Sequence, residues 1–269
     1  MAGRTASAVA ETLWRVAYPE QCVGCGAVLE LERRHFCPAC DGKLSWIGEH
    51  ACARCGSQVG PHATTRGGCA ACRGLGLAFA RTAAPFRYEG MIRDLILHFK
   101  LGGRPSLVYV LGDLLCDYLA TGGVSQAADV IVPVPLHWRR RAARGYNQAR
   151  LLALEIGARF HLPVAARALH RRRATRSQTA LTALSRRANV RHAFAARSPG
   201  SEQSRLRRLW ARASGAVTLL GRRVLLVDDV MTTCSTLNEC ARVLRRAGAA
   251  EVSVVVLARA HGRSSRPAP

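Results

Sequence analysis

The chain has 269 residues, of which 49% are hydrophobic and 21% charged, and a formal net charge of +23 at pH 7. This composition excludes a disordered chain, and no apolar run approaches the roughly 20 residues of a transmembrane segment. A positive field of this size attracts polyanions, so phosphate, nucleic acid or an acidic partner is expected. Only Lys43 and Lys100 of the 40 basic residues are lysines. An arginine bias with abundant alanine also follows from a GC-rich genome, so the charge excess carries more than the choice of arginine.

Residues 1–19 read as an N-terminal extension. Glu11 interrupts them before an apolar core of signal-peptide length develops, so no secretory signal is expected. Residues 20–76 hold four C-x-x-C pairs: Cys22 and Cys25, Cys37 and Cys40, Cys52 and Cys55, Cys69 and Cys72. Two such knuckles complete a tetrahedral four-thiolate zinc site, so four complete two structural sites. Disulfides are the alternative, but a chain without an export signal stays in a reducing compartment. Sequential pairing and an interleaved cross-brace both fit the spacing. The segment has few large apolar residues, so metal binding has to supply its folding free energy.

Residues 77–260 read as an α/β domain. Apolar residues at helical spacing predict helices over 91–102 and 105–121, with a Gly-Gly break between them. Cys116 fits as a buried small hydrophobe. The run DVIVPVPL (129–136) predicts a buried strand ending in a proline loop. A helix follows over 148–160, then a short strand within 163–170. The Arg-rich stretch 171–192 reads as loop with some helix. Residues 224–229 form a strand, 235–247 a helix and 252–258 a last strand. Alternating strands and helices predict a doubly wound parallel sheet, with ligands beyond the C-terminal strand ends. Residues 261–269 read as a disordered tail.

At one such strand end stands RVLLVDDVMTTCST (223–236), two adjacent carboxylates followed by small hydroxylated residues. Asp228 and Asp229 can accept the vicinal hydroxyls of a ribose. The run Val230, Met231, Thr232, Thr233, Cys234, Ser235 and Thr236 offers hydroxyls and amides to a 5-phosphate at a helix N-terminus. A metal site or a helix cap is the blander reading of two such aspartates.

The stretch resembles the phosphoribosyl pyrophosphate motif of type I phosphoribosyltransferases. Those enzymes usually have glycine where this chain has Cys234, and glycine tolerates backbone conformations that a side chain does not. Two further stretches, VPVPLHWRRRAARGYNQARLLA (132–153) and TRSQTALTALSRRANVRHAF (175–194), resemble signature segments of the ComF family, competence-associated proteins with an N-terminal zinc domain. The resemblance spans most of residues 20–260. It implies a type I phosphoribosyltransferase-like parallel sheet with helices on both faces, plus a small double zinc ribbon. It also implies phosphoribosyl pyrophosphate with Mg as ligand and Asp228 and Asp229 as the catalytic pair. Basic groups have to face the leaving pyrophosphate. The candidates are Lys100, Arg144, Asn147, Gln148, Arg176 and Gln178, with Arg139, Arg140, Arg141, Arg171, Arg172 and Arg173 nearby.

The family role in natural transformation implies a cytoplasmic protein at the inner face of the membrane. Its partners would be single-stranded DNA, a competence helicase and recombination proteins. One reading is an enzyme or phosphoribosyl pyrophosphate binder. The other is a non-catalytic DNA adaptor with a relic or sensory pocket. A nucleobase salvage enzyme is a third. Residues 195–222 look longer than the family pattern, and Trp210 among Arg205, Arg207, Arg208 and Arg212 is either solvated surface or a base-stacking platform.

Overall fold

Two nine-residue strands near the C-terminus, each built on an apolar run, form the centre of the sheet in a computed structural model that describes residues 20–30, 34–122, 128–173, 190–197 and 218–260. The Arg-rich flap with Arg176 and Gln178, the Trp210 cluster, the extension and the tail lie outside the described residues. The described strands are β1 (Thr82–Ala83), β2 (Phe86–Arg87), β3 (Val130–Pro133), β4 (Leu169–Arg171), β5 (Phe194–Ala196), β6 (Arg223–Met231) and β7 (Glu251–Arg259). The helices are α1 (Pro38–Asp41), α2 (Gly90–Leu101), α3 (Leu107–Gly122), α4 (Trp138–Arg144), α5 (Gln148–Phe160) and α6 (Ser235–Arg246).

The main sheet is parallel. Its path runs β1, β7, β6, β3, and β2 also pairs with β7. β1 and β2 are one edge strand interrupted at Ala84-Pro85, where proline offers no amide to a ladder. β4 and β5 form a separate antiparallel pair. The short strand expected within 163–170 is a single bridge at Val164 followed by β4. Helix α4 was not legible in the sequence, because WRRRAAR has no apolar stripe.

Side chains alternate across the central strands. Val224 and Leu226 of β6 and Val252, Val254 and Val256 of β7 face one side, packing with Leu237, Cys240, Ala241 and Leu244 of α6. Leu225, Val227, Val255 and Leu257 face the other side, against α2, α3 and α5 through Phe99, Leu111, Leu115, Leu152 and Ile156. Cys116 is buried within α3, as expected of a small hydrophobe.

The cysteine-rich segment straddles the sheet's edge. Cys22, Phe36, Cys40 and Leu44 belong to the core of the α2–α3 side, and Cys52, Cys55, Cys69 and Cys72 to the core of the α6 side. Between them, Trp46 bridges antiparallel to Phe86, the Ile47 amide donates to the Pro85 carbonyl at 2.8 Å, and the Arg87 amide donates to Ser45 at 2.8 Å. Amides and carbonyls that an edge strand would leave unpaired are thereby covered. Gly56, at φ +67, lies so close to β1 that a Cβ would sit 3.0 Å from both Thr82 and Ala84.

Candidate functional site

Each half of the cysteine-rich segment begins with the same hairpin. Cys22 and Cys52 donate their amides to Ala27 and Ser57 at 2.7 and 2.8 Å, and Gly26 and Gly56 return theirs to Cys22 and Cys52 at 2.8 and 2.7 Å. The ligand sets are sequential: Cys22, Cys25, Cys37 and Cys40 form one group and Cys52, Cys55, Cys69 and Cys72 the other. Tetrahedral zinc with Zn–S bonds of about 2.3 Å sets its sulfurs about 3.8 Å apart. Cys25 and Cys37 are 3.7 Å apart, Cys55 and Cys69 3.6 Å, and Cys52 and Cys72 3.9 Å. A disulfide needs about 2 Å. Both groups therefore fit structural zinc.

The second centre is the C-terminal end of β6. The apolar run ends at Val227, and the strand carries Asp228 and Asp229 past it. Their carboxylates turn toward the chain that follows: the Asp229 amide donates to Asp228 Oδ1 at 2.9 Å and the Val230 amide to Asp229 Oδ1 at 2.6 Å. Lys100 Nζ lies 3.0 Å from Asp229 Oδ1 and 5.8 Å above the Tyr88 ring. Burial first, and the neighbouring Asp229 carboxylate second, push the Asp228 carboxyl up to about 7, against the opposing pull of Lys100 and Arg171. Asp228 therefore keeps its proton well above the usual carboxylate range and releases it near neutral pH.

Beyond the pair, Thr233 Oγ1 and Ser235 Oγ are 3.0 Å apart and α6 starts at Ser235, so its first amides face the loop. Cys234, the helix cap, sits at φ +62, the left-handed conformation that glycine adopts freely and other residues at a cost of roughly 1–2 kcal/mol. This is the physical reason for glycine at that position in the related motif. The Cys234 thiol is turned into the core, 3.3 Å from Met231 Sδ. A cavity of about 370 Å³ opens beside Thr233 and Ser235, and Leu75 and Leu77 at the exit of the cysteine-rich segment form part of its wall.

The RGYNQ segment supports this centre from behind. Tyr146 donates its hydroxyl to the Phe99 carbonyl, and Gln148, 1% exposed, donates to the Lys100 carbonyl at 3.4 Å, so both hold the end of α2 that aims Lys100. Asn147 caps α5 through the Ala149 amide and donates to Val134 at 3.1 Å, while Arg144 donates to Gln148 at 3.4 Å. Three of the pyrophosphate candidates, Arg144, Asn147 and Gln148, are thus engaged with the scaffold. Lys100 alone among the described candidates touches the acidic pair.

One residue at this centre gave no signal in the sequence. Arg259 ends β7, is 6% exposed, and lies in register beside Met231. Its guanidinium donates to the carbonyls of Met231 at 3.1 Å, Ala260 at 2.7 Å and Thr232, and from Nε to Cys55 at 3.0 Å. A buried charge thereby ties the loop after the aspartates to a zinc knuckle. Asn238 of α6 adds a second tie, accepting from the Ala78 amide at 2.6 Å.

The proton held by Asp228 makes a stability prediction. A carboxyl whose folded value is raised contributes stability that is fully present below its unfolded value near 4 and lost as pH rises through about 7. Asp228→Asn is therefore expected to match the native chain at about pH 4 and to melt higher at about pH 8, by roughly 2–4 °C for each kcal/mol relieved. Circular-dichroism melts across that range check it, and a gap that does not widen with pH refutes the assignment.

A parallel sheet with an acidic pair and a hydroxyl-rich loop at a central strand end, joined to a double zinc ribbon, defines a phosphoribosyltransferase-fold protein. Family models for a double zinc ribbon domain and a phosphoribosyl transferase domain match residues 13–73 and 146–268. The chain is 30% identical to competence protein F of Haemophilus influenzae, covering 89% of this chain and 97% of that protein. It is 30% identical to the DNA utilization protein YhgH of Escherichia coli, covering 90% and 97%, and 27% identical to competence protein ComFC of Bacillus subtilis, covering 83% of each. The chain belongs to the ComF family.

Proposed function

We propose that the chain binds phosphoribosyl pyrophosphate with Mg in the cradle of Asp228 to Thr236. On this reading Asp228 and Asp229 take the ribose hydroxyls, the stretch from Val230 to Thr236 takes the 5-phosphate, and Lys100 faces the leaving pyrophosphate. The support is one juxtaposition: a lysine 3.0 Å from a strand-end carboxylate, beside a loop that opens onto a helix N-terminus. Mg, when bound, neutralises charge that develops on pyrophosphate oxygens. The chain's own part is to hold the ribose in place and to set Lys100 against the pair. Residues 20–76 serve as the zinc-binding unit and 77–260 as the ligand-binding unit.

The competence and DNA-utilization names of the relatives support a role in handling imported single-stranded DNA. On this reading the protein works in the cytoplasm at the inner face of the membrane, with a competence helicase and recombination proteins as partners. Among the described residues no helix is long and apolar enough to cross a membrane. A second reading keeps the DNA role without catalysis. The observation that favours it is Cys234 in the loop assigned to the phosphate, held at φ +62 where the related motif has glycine.

Calorimetric titration of the zinc-loaded chain with phosphoribosyl pyrophosphate and Mg tests the first reading. Saturable binding is expected, weakened at least about tenfold by changing Asp228 and Asp229 together to Asn, which corresponds to about 1.4 kcal/mol. No saturable binding by the native chain would sink the ligand assignment and leave the adaptor.

A further inference from the structure

A second cavity, of about 640 Å³, runs between α4, the first half of α5 and the β4–β5 pair. Four exposed arginines line it, Arg141, Arg150, Arg167 and Arg197, and half-buried Arg171 closes one end. No Asp or Glu is among the described residues of its wall. These arginines come from four separate segments, so their convergence on one groove is a property of the fold and not of a local charge run. At the rim stands Trp138, 67% exposed, its ring 5.6 Å from that of His137. An indole two-thirds exposed beside a line of guanidinium groups supplies the two components of a single-strand track, charge for the backbone and a flat face for a base.

We propose that this groove carries single-stranded DNA, with phosphates against Arg141, Arg150, Arg167 and Arg197 and a base stacked on Trp138. The inference rests on the DNA-handling reading above and gives it a surface. Duplex DNA keeps its bases stacked inside and offers nothing to Trp138. A second copy of this chain would bring the same arginines against themselves. An acidic peptide would satisfy the arginines and leave the indole without a role. Arg171, which lines this groove, is also within electrostatic reach of Asp228.

The test is titration of the zinc-loaded full chain with a short fluorescent oligothymidylate over a salt series, with the matching duplex as a second probe. Trp138→Ala is expected to weaken single-strand binding on the order of tenfold to a hundredfold. Arg150→Ala with Arg167→Ala is expected to lower the slope of log affinity against log salt by about 1.4. All three side chains are exposed, so the variants should keep the native melting temperature and the native titration with phosphoribosyl pyrophosphate. Oligothymidylate binding that is unchanged in both variants would overturn the groove while leaving the DNA role standing. Failure of the native chain to bind it at any salt would overturn both. Equal affinity for duplex, with Trp138→Ala silent, would overturn the stacking assignment.

Discussion

Chelation of zinc is expected to collapse the whole molecule and not the cysteine-rich segment alone. Cys52 and Cys55 are completely buried, and their group belongs to the same core as Val254 and Leu244, while Cys22 and Cys40 belong to the opposite core. Without metal, each set of four thiols loses its common centre, and the hairpins that carry them contribute few large apolar side chains of their own to the sheet's cores. Structural zinc contributes apparent free energies on the order of 10 kcal/mol, which exceeds what most domains hold in reserve. Removal should also uncover β1 and β2, the sheet edge that Trp46 and Ile47 now pair with, and so promote association between chains. Thermal melts with a chelator, followed by zinc add-back, read this out. An unchanged main transition would show that the sheet does not need the ribbon, contrary to the shared cores.

The second large effect is expected at Arg259. Substituting leucine leaves the carbonyls of Cys55, Thr232 and Ala260 without their common donor, while the Met231 carbonyl keeps the Ala260 amide at 2.9 Å. Buried groups left unsatisfied cost about 1–3 kcal/mol each before relaxation, so Arg259→Leu should lose on the order of 3–5 kcal/mol. Affinity for phosphoribosyl pyrophosphate should fall with it, since Thr232 lies in the loop assigned to the phosphate. Arg259→Lys keeps the charge but not the forked geometry, and should fall between the two. Urea midpoints and calorimetry on the three proteins decide it. An unchanged midpoint for the leucine variant would mean that the carbonyls find other donors.

Most of the sheet was legible because its strands are short apolar runs with clear ends. VIVP, VLLV and VSVVVL lie within β3, β6 and β7, and the boundaries moved by only a few residues. The acidic pair was legible because nothing in a buried strand calls for two carboxylates. The zinc pairing was not, since spacing permits two solutions and only folding distances choose between them. Arg259 was invisible for a different reason: an arginine after an apolar run reads as the place where a strand reaches water. Its burial depends on register with Met231 and on a knuckle about two hundred residues earlier in the chain. The basic groove escaped for the same reason, because α4, α5 and the β4–β5 pair converge only in three dimensions.

The position of β7 has a consequence for how the protein is made. This strand is the last described element of the chain, yet it lies between β6 and the β1–β2 edge. While the ribosome is still translating it, the edge and the rest of the sheet have no strand between them, although the zinc hairpins upstream can begin from local contacts and metal. The ribbon is thus free to fill with zinc early and wait. Sheet closure then joins partners some 170 residues apart, as in the pairing of Thr82 with Val254, and topology of that kind slows folding. A nascent chain stalled before β7 would carry a finished metal module on a sheet that cannot close.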